Sequence, residues 1–333
     1  MPFQLIPPLR ARLSLLAGLS LAVLCPWLAG CSKSSPAAPK VPGPTKFMVF
    51  SSDRGQPAGK YRNYFLTLDG ASYAQYPASD TVIALKPSIN SDNTTLAYEE
   101  DPATGYSFNK RVVLYNTDSH ARTVDVNVNI PGANATEPYL SLDGAKLLFV
   151  RDTLGAKQLR LYDVVNLAFI PLPGLAGPPG TNDHAPACDA QAHRIVFVSD
   201  RNGNDDVFLY QLPTTSFIDI AGMTSPSEDR EPCISGDGRT LAWSTDRNAG
   251  DGFDIMLADV NSLTLVPFTG NTTSDEMQPS LSHDGTNLLM VSDRPTGMGG
   301  LDVWSFNLIT STATEVTNQS SAGADILPVL VWP

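Results

Sequence analysis

The chain has 333 residues, 42% of them hydrophobic, and its 34 acids against 22 bases give a formal charge of −12. With no basic patch to neutralise phosphates, nucleic acid is excluded as a partner. The acidity gives no reason to seek anionic lipid either; it suits cations or a basic partner surface, or serves solubility alone.

Arg10 and Arg12 precede the apolar run LSLLAGLSLAVLC, which fits a secretory h-region and is too short to span a bilayer. The run ends at Leu28-Ala29-Gly30-Cys31. Small residues just before a cysteine resemble a bacterial lipobox, so residues 1–30 are expected to be a lipoprotein signal peptide and Cys31 the acylated N-terminus. Cys25, preceded by Ala22-Val23-Leu24, competes poorly; an ordinary signal with a chance cysteine is the plain alternative. Without Arg10 and Arg12, 34 acids face 20 bases, a mature formal charge of −14, so membrane contact is expected to run through the lipid anchor alone. Ser32 follows Cys31, which by resemblance to enterobacterial sorting favours the outer membrane, facing the periplasm. The next segment, SKSSPAAPKVPGPT, has prolines at 36, 39, 42 and 44 and builds no core. Residues 31–45 therefore read as a lipidated tether, reaching about 40 Å at about 3 Å per residue.

From residue 46 to 333 the chain repeats. KPSINSDNTTLAYEED, EPYLSLDGAKLLFVRD, APACDAQAHRIVFVSD, EPCISGDGRTLAWSTD and QPSLSHDGTNLLMVSD align without a gap on Pro87, Pro138, Pro186, Pro232 and Pro279. A sixth copy is split: FMVFSSDRG opens the repeat region at Phe47, and ILPVLVWP supplies its missing first part from Ile326. Each unit reads as four short strands. The Asp-Gly pairs at 143–144, 237–238 and 284–285 predict two-residue hairpin turns with both central residues at positive φ. A period of 46 to 51 residues with four strands per unit predicts propeller blades, against a β-sandwich or several small β domains. The expected fold is all-β, a six-bladed β-propeller of four-stranded antiparallel blades, its ring closed by the C-terminal strand pairing in the N-terminal blade.

The motif P-x-x-S-x-D-G, four apolar residues and S/T-D-R-x-G resembles the repeat of TolB-type propellers over nearly the whole mature chain. The resemblance implies a six-bladed ring closed by both termini in a periplasmic protein. The sequence departs from TolB in having only a tether where TolB has an N-terminal α/β domain, and in its lipobox. It leaves open a partner such as a peptidoglycan-associated lipoprotein.

Asp53, Asp101, Asp152, Asp200, Asp246 and Asp293 occupy the same place in the six units. An aspartate used six times is not a single catalytic group. It reads as a structural acid, bonding backbone N–H groups of the turn that follows the second strand. Asp200, Asn202, Asn204 and Asp206 also imitate the first half of a calcium loop, but position twelve holds Gln211 where a bidentate Glu is wanted. Structural turn is the better reading; no cofactor is expected, calcium or another divalent cation being the alternative.

A meander places the second-to-third-strand loops and the blade-to-blade connections on one face, where propellers bind ligands by resemblance. Asp183, Asp229, Glu276 and Asp325 stand three residues before their prolines, and Glu137 and Glu231 immediately before Pro138 and Pro232. With His184 they are the candidate ligand- or partner-binding residues at a channel mouth. They form either a carboxylate ring with perturbed protonation or caps on the turn into the inner strand. His120, His193 and His283 fall on the opposite face. No G-x-S-x-G, no clustered-histidine site and no metal-ligand set is visible, so no catalytic residue is assigned. Cys188 and Cys233 lie on neighbouring inner strands, a bridge between them left open. The expected function is a lipid-anchored envelope scaffold holding a protein partner on one face. The alternative is a small-ligand, glycan or metal receptor, or a hydrolase or lyase, using the channel mouth.

Overall fold

The computed structural model describes residues 47–53, 61–67, 73–76, 83–101, 110–126, 133–248, 252–295, 301–317 and 325–331. Cys31, the signal and the tether lie outside the described residues. Everything described belongs to one compact unit, Val41–Pro333.

Twenty-four strands form six four-stranded antiparallel sheets. The first blade joins β1 (Phe47–Ser52), β2 (Arg62–Thr67) and β3 (Tyr73–Tyr76) to the last strand, β24 (Asp325–Val331), in the order β24-β1-β2-β3. Phe47 pairs with Val331 and Ser52 with Asp325, so the two ends of the described chain close the ring as the split repeat predicts. The second blade is β4 (Ile83–Ile89), β5 (Thr95–Asp101), β6 (Arg111–Asn116) and β7 (Ala121–Asp125). The third is β8 (Asn134–Leu140), β9 (Lys146–Thr153), β10 (Ala156–Asp163) and β11 (Ala168–Ile170). The fourth is β12 (Asp183–Cys188), β13 (Arg194–Ser199), β14 (Asp206–Gln211) and β15 (Ser216–Ile218). The fifth is β16 (Asp229–Ile234), β17 (Thr240–Thr245), β18 (Asp254–Asp259) and β19 (Thr264–Val266). The sixth is β20 (Glu276–Leu281), β21 (Asn287–Ser292), β22 (Asp302–Asn307) and β23 (Thr312–Glu315).

Side chains alternate faces along a strand, so the four apolar residues of each second strand serve two neighbours. In β13, Val196 and Val198 pack toward the fifth blade, while Ile195 and Phe197 pack toward the third. Six apolar clusters result, one at each blade-to-blade interface. Cys188 belongs to the cluster shared with the third blade and Cys233 to the one shared with the sixth, so both point away from the interface between their own blades. Both are free and buried, and burial pushes their thiols up, Cys233 to about 12.

The Asp-Gly turns differ from expectation. Only the glycines, Gly144, Gly238 and Gly285, have positive φ. The amide of Gly144 bonds to Ser141 O at 2.8 Å, and Gly238 and Gly285 bond likewise to Ser235 O and Ser282 O. This is a four-residue turn ending in a left-handed glycine, not a two-residue hairpin. The aspartate sits at the third position because its carboxylate takes two donors there. Asp143 Oδ1 accepts from Ser141 Oγ at 2.6 Å and from the Ala145 amide at 2.9 Å.

Candidate functional site

All six inner strands begin on one face, here the upper face, and run to the lower face. Each is interrupted at the proline. The preceding residue, Lys86, Glu137, Ala185, Glu231, Gln278 or Leu327, has φ between 47° and 54°, and the register with the second strand shifts there in every blade. Six bulges at one level bring these residues and their prolines together around the axis. They line a cavity of about 210 Å³ that Tyr139 and Val329 help to floor.

The bulge frees a backbone amide, and in four of the strands the neighbouring blade supplies its acceptor. Glu137 Oε2 accepts from Ala185 N at 2.6 Å, Glu231 Oε2 from Gln278 N at 2.9 Å, and Gln278 Oε1 from Leu327 N at 2.6 Å. The Glu137 amide bonds to Glu99 Oε2 at 3.2 Å. Lys86 Nζ lies 3.0 Å from Glu137 Oε1. Burial works against the Glu137 charge, but Lys86 and the Ala185 amide outweigh it and hold the carboxyl down at about 2.

Of the mouth residues expected from sequence, Glu137 and Glu231 line this cavity. Asp183, Asp229, Glu276 and Asp325 instead open their inner strands and are buried there. Three of them meet the arginine of their own blade's S/T-D-R motif. Arg201 Nη2 lies 2.8 Å from Asp183 Oδ1, Arg247 Nη2 2.7 Å from Asp229 Oδ2, and Arg294 Nε 3.2 Å from Glu276 Oε1. Each guanidinium also bonds a carbonyl of the incoming blade-to-blade connection: Leu175 O, Gly222 O with Met223 O, or Gly270 O. Each lies over an aromatic ring as well, Phe208, Trp243 or Trp304. The arginine thus brackets three pieces of chain: inner-strand start, connection and turn. Burial pushes Asp229 up despite its bonds to Arg247 and Trp243. His184 stands at the rim, with Nε2 3.4 Å from Asp205 Oδ1.

The repeated aspartates also have partners that sequence reading missed. Asp152 bonds the turn after it, through the Gly155 amide at 2.8 Å. Asp200, Asp246 and Asp293 reach back instead to the amide just ahead of the inner strand: Asn182 at 2.7 Å, Glu228 at 2.9 Å and Asp275 at 3.0 Å. Two Asn182 donors hold Asp200 below the usual carboxylate range although burial opposes it. Asp53 follows β1 and Asp101 closes β5, Asp101 paired in register with Ile83. In the calcium-like stretch, the side-chain amides of Asn202 and Asn204 turn onto Asp206, at 3.0 and 3.4 Å, and Asn204 also bonds Ser225 O and Ser227 O. Among the described residues no group of three His, Cys, Asp or Glu is placed to hold a metal ion.

Six four-stranded blades closed by a split blade around an axial cavity make a six-bladed β-propeller, similar in fold to solved TolB structures. TolB from Acinetobacter baumannii superposes with a TM-score of 0.64 at 16% identity, covering 86% of this chain and 67% of that one. A TolB structure from Agrobacterium tumefaciens gives 0.57 at 11% identity, covering 82% and 88%. A puromycin-hydrolysing peptidase of Mycobacterium tuberculosis gives 0.52 at 14% identity, covering 80% of this chain but 45% of that one. Neither a protein-family model nor a curated protein sequence matches the chain.

Proposed function

We propose that this propeller is a non-catalytic scaffold of the bacterial cell envelope, anchored through Cys31, that holds a protein partner on its upper face. The supporting observation is the set of acid–arginine brackets. They tie the connections and turns of three adjacent blades into a preformed surface, and they spend the acids on internal pairing. A surface that does not reorganise loses little on association. His184, Glu231, Gln278 and the Lys86–Glu137 pair are polar groups at its centre, around a proline-walled cavity of about 210 Å³. An envelope lipoprotein bound to peptidoglycan is the first partner to test, given the likeness to TolB.

The test is crosslinking of the tagged protein in intact cells, followed by mass spectrometry. One dominant envelope protein, lost on Glu231→Lys and His184→Ala substitution, supports the scaffold. Capture at background level overturns it and leaves the second reading, a small polar ligand seated in the 210 Å³ cavity between Lys86 and Glu231. Metabolic acyl labelling, abolished by Cys31→Ala, tests the anchor separately.

A further inference from the structure

The lower face carries a feature that partner binding above does not use. The turns between third and fourth strands all lie on it, and in four consecutive blades the turn and outer strand are poor in charge: Glu315 ends β23, and Asp163 and Asp259 cap the turns of the third and fifth blades. Residues 164–182, 212–218, 260–274 and 308–314 contain no Asp, Glu, Lys or Arg, in a chain that is 17% charged. The equivalent stretch of the second blade, 117–125, holds Asp118, Arg122 and Asp125. Outer strands are open sheet edges, and charge is the usual device that keeps them from sticking. Here the outer strands along this arc of four consecutive blades carry one charged residue, Glu315.

The same arc exposes apolar side chains. Val165 is 75% exposed, Leu167 60%, Leu263 43% and Ile309 76%, with Phe169, Phe217 and Val266 at about 40% on the outer strands. Among the described residues only one other large apolar side chain, Leu154, is as exposed. Leu167 and Leu263 have φ of 53° and 58°. That left-handed backbone suits Asn or Gly and is unfavourable for leucine, so stability does not explain these residues. Between the fifth and sixth blades the arc opens into a cavity of about 270 Å³ walled by Leu257, Val266, Phe268 and Phe306, with Asp259 and Thr240 on its polar side.

The occupant is indicated by where the chain joins. Phe47, the first described residue, pairs with Val331 at the end of the inner strand, on the lower face. The tether therefore meets the propeller on the face that bears the apolar turns. We propose that this arc rests on the neutral part of a lipid bilayer surface, with Val165, Leu167, Leu263 and Ile309 entering the interface. The proposal rests on the membrane placement given by Cys31 and adds a second contact to it. Whole-chain charge predicts anchoring by the lipid alone; along this arc charge is sparse and exposed apolar side chains are concentrated. Apolar side chains at an interface bind by buried area, and an acidic protein gains nothing from anionic headgroups.

The test is flotation of the processed chain, residues 31–333 with Cys31→Ala, on phosphatidylcholine vesicles. The chain should float without an acyl group, and Leu167→Asn/Leu263→Asn/Ile309→Thr should lower the bound fraction at least about tenfold. Its melting temperature should not fall, because Asn accepts the left-handed backbone. Adding phosphatidylglycerol should not strengthen binding. A parent chain that stays in solution overturns the proposal, as does a triple variant that floats equally well. Concentration-dependent dimerisation abolished by the same changes would assign the arc to a second copy. Loss of acyl labelling with vesicle binding intact would break the anchor reading and leave this one standing.

Discussion

In the fourth, fifth and sixth blades an acid three residues before the proline is closed by an arginine fifteen residues after it. In the second and third blades those two positions hold Ala84 with Pro102, and Ala135 with Thr153. Acid and arginine are present together or absent together. A buried ion pair is therefore not a condition of forming a blade, and its desolvation penalty is large enough that two small residues serve as well. The unbracketed blades place their buried charges elsewhere. Glu99 meets Lys110 at 2.8 Å, Glu100 pairs with Arg111 and Arg122, and Glu137 links Lys86 of one neighbour to the Ala185 amide of the other. The bracketed blades are pinned within themselves at the upper face; axial links to a neighbour occur in both sets, through Glu137 in the third blade and through Glu231 and Gln278 in the fifth and sixth.

Removing half a bracket should break this comparison most visibly. Arg247→Ala leaves Asp229 buried without its counter-ion and should cost about 3–5 kcal/mol in urea unfolding. Asp229→Ala/Arg247→Thr, which copies the third blade, should recover most of that loss, with a coupling of about 2 kcal/mol or more in a double-mutant cycle. If the double variant is as unstable as the single, blades of the two kinds are not interchangeable.

Acid separates the axial pinning from the brackets. Glu137 is held at about 2, below its ordinary 4.5, so its contribution is complete above the ordinary value and is lost as pH falls toward 2. Between pH 6 and pH 3 this is on the order of 2 kcal/mol. Glu137→Gln should lose that much less than the parent over the same interval, measured by urea unfolding at both pH values. Asp229, pushed up by burial, has the opposite sign: its ionisation weakens the fold as pH rises from the ordinary value through the raised one.

The smallest effect is expected from building a bracket where none exists. Ala135→Asp/Thr153→Arg should change stability by less than about 1 kcal/mol, because the desolvation of the new pair nearly cancels its attraction. Gains well above this would mean that the bracket is a stabilising device the third blade has lost.

The fold was legible because five gapless copies place the first two strands of each blade, the regular period leaves room for two more, and the split copy places the closure. The buried acids were legible as positions but not as partners. Their pairing with arginine was readable within the chain, since Ala84 and Ala135 occur only in the units whose arginine is also replaced. Reading acids and arginines as separate columns hid it. Lys86 and Gln278 were not legible as cavity walls. A residue before proline prefers an extended backbone with negative φ, and only the stacked bulges force it left-handed toward the axis. The apolar arc was hidden differently: its residues lie far apart in sequence, and net charge averages over them.

The split first blade has a consequence for synthesis. Phe47 must find Val331, across nearly the whole chain, before β1 gains its inner neighbour. Blades two to six can assemble on local contacts as they emerge, while the first waits with a sheet edge open until the final strand arrives. The last seven-residue strand is thus a clasp whose timing sets how long the unfinished ring is exposed to aggregation. Losing it would open the ring at a seam instead of merely shortening a tail.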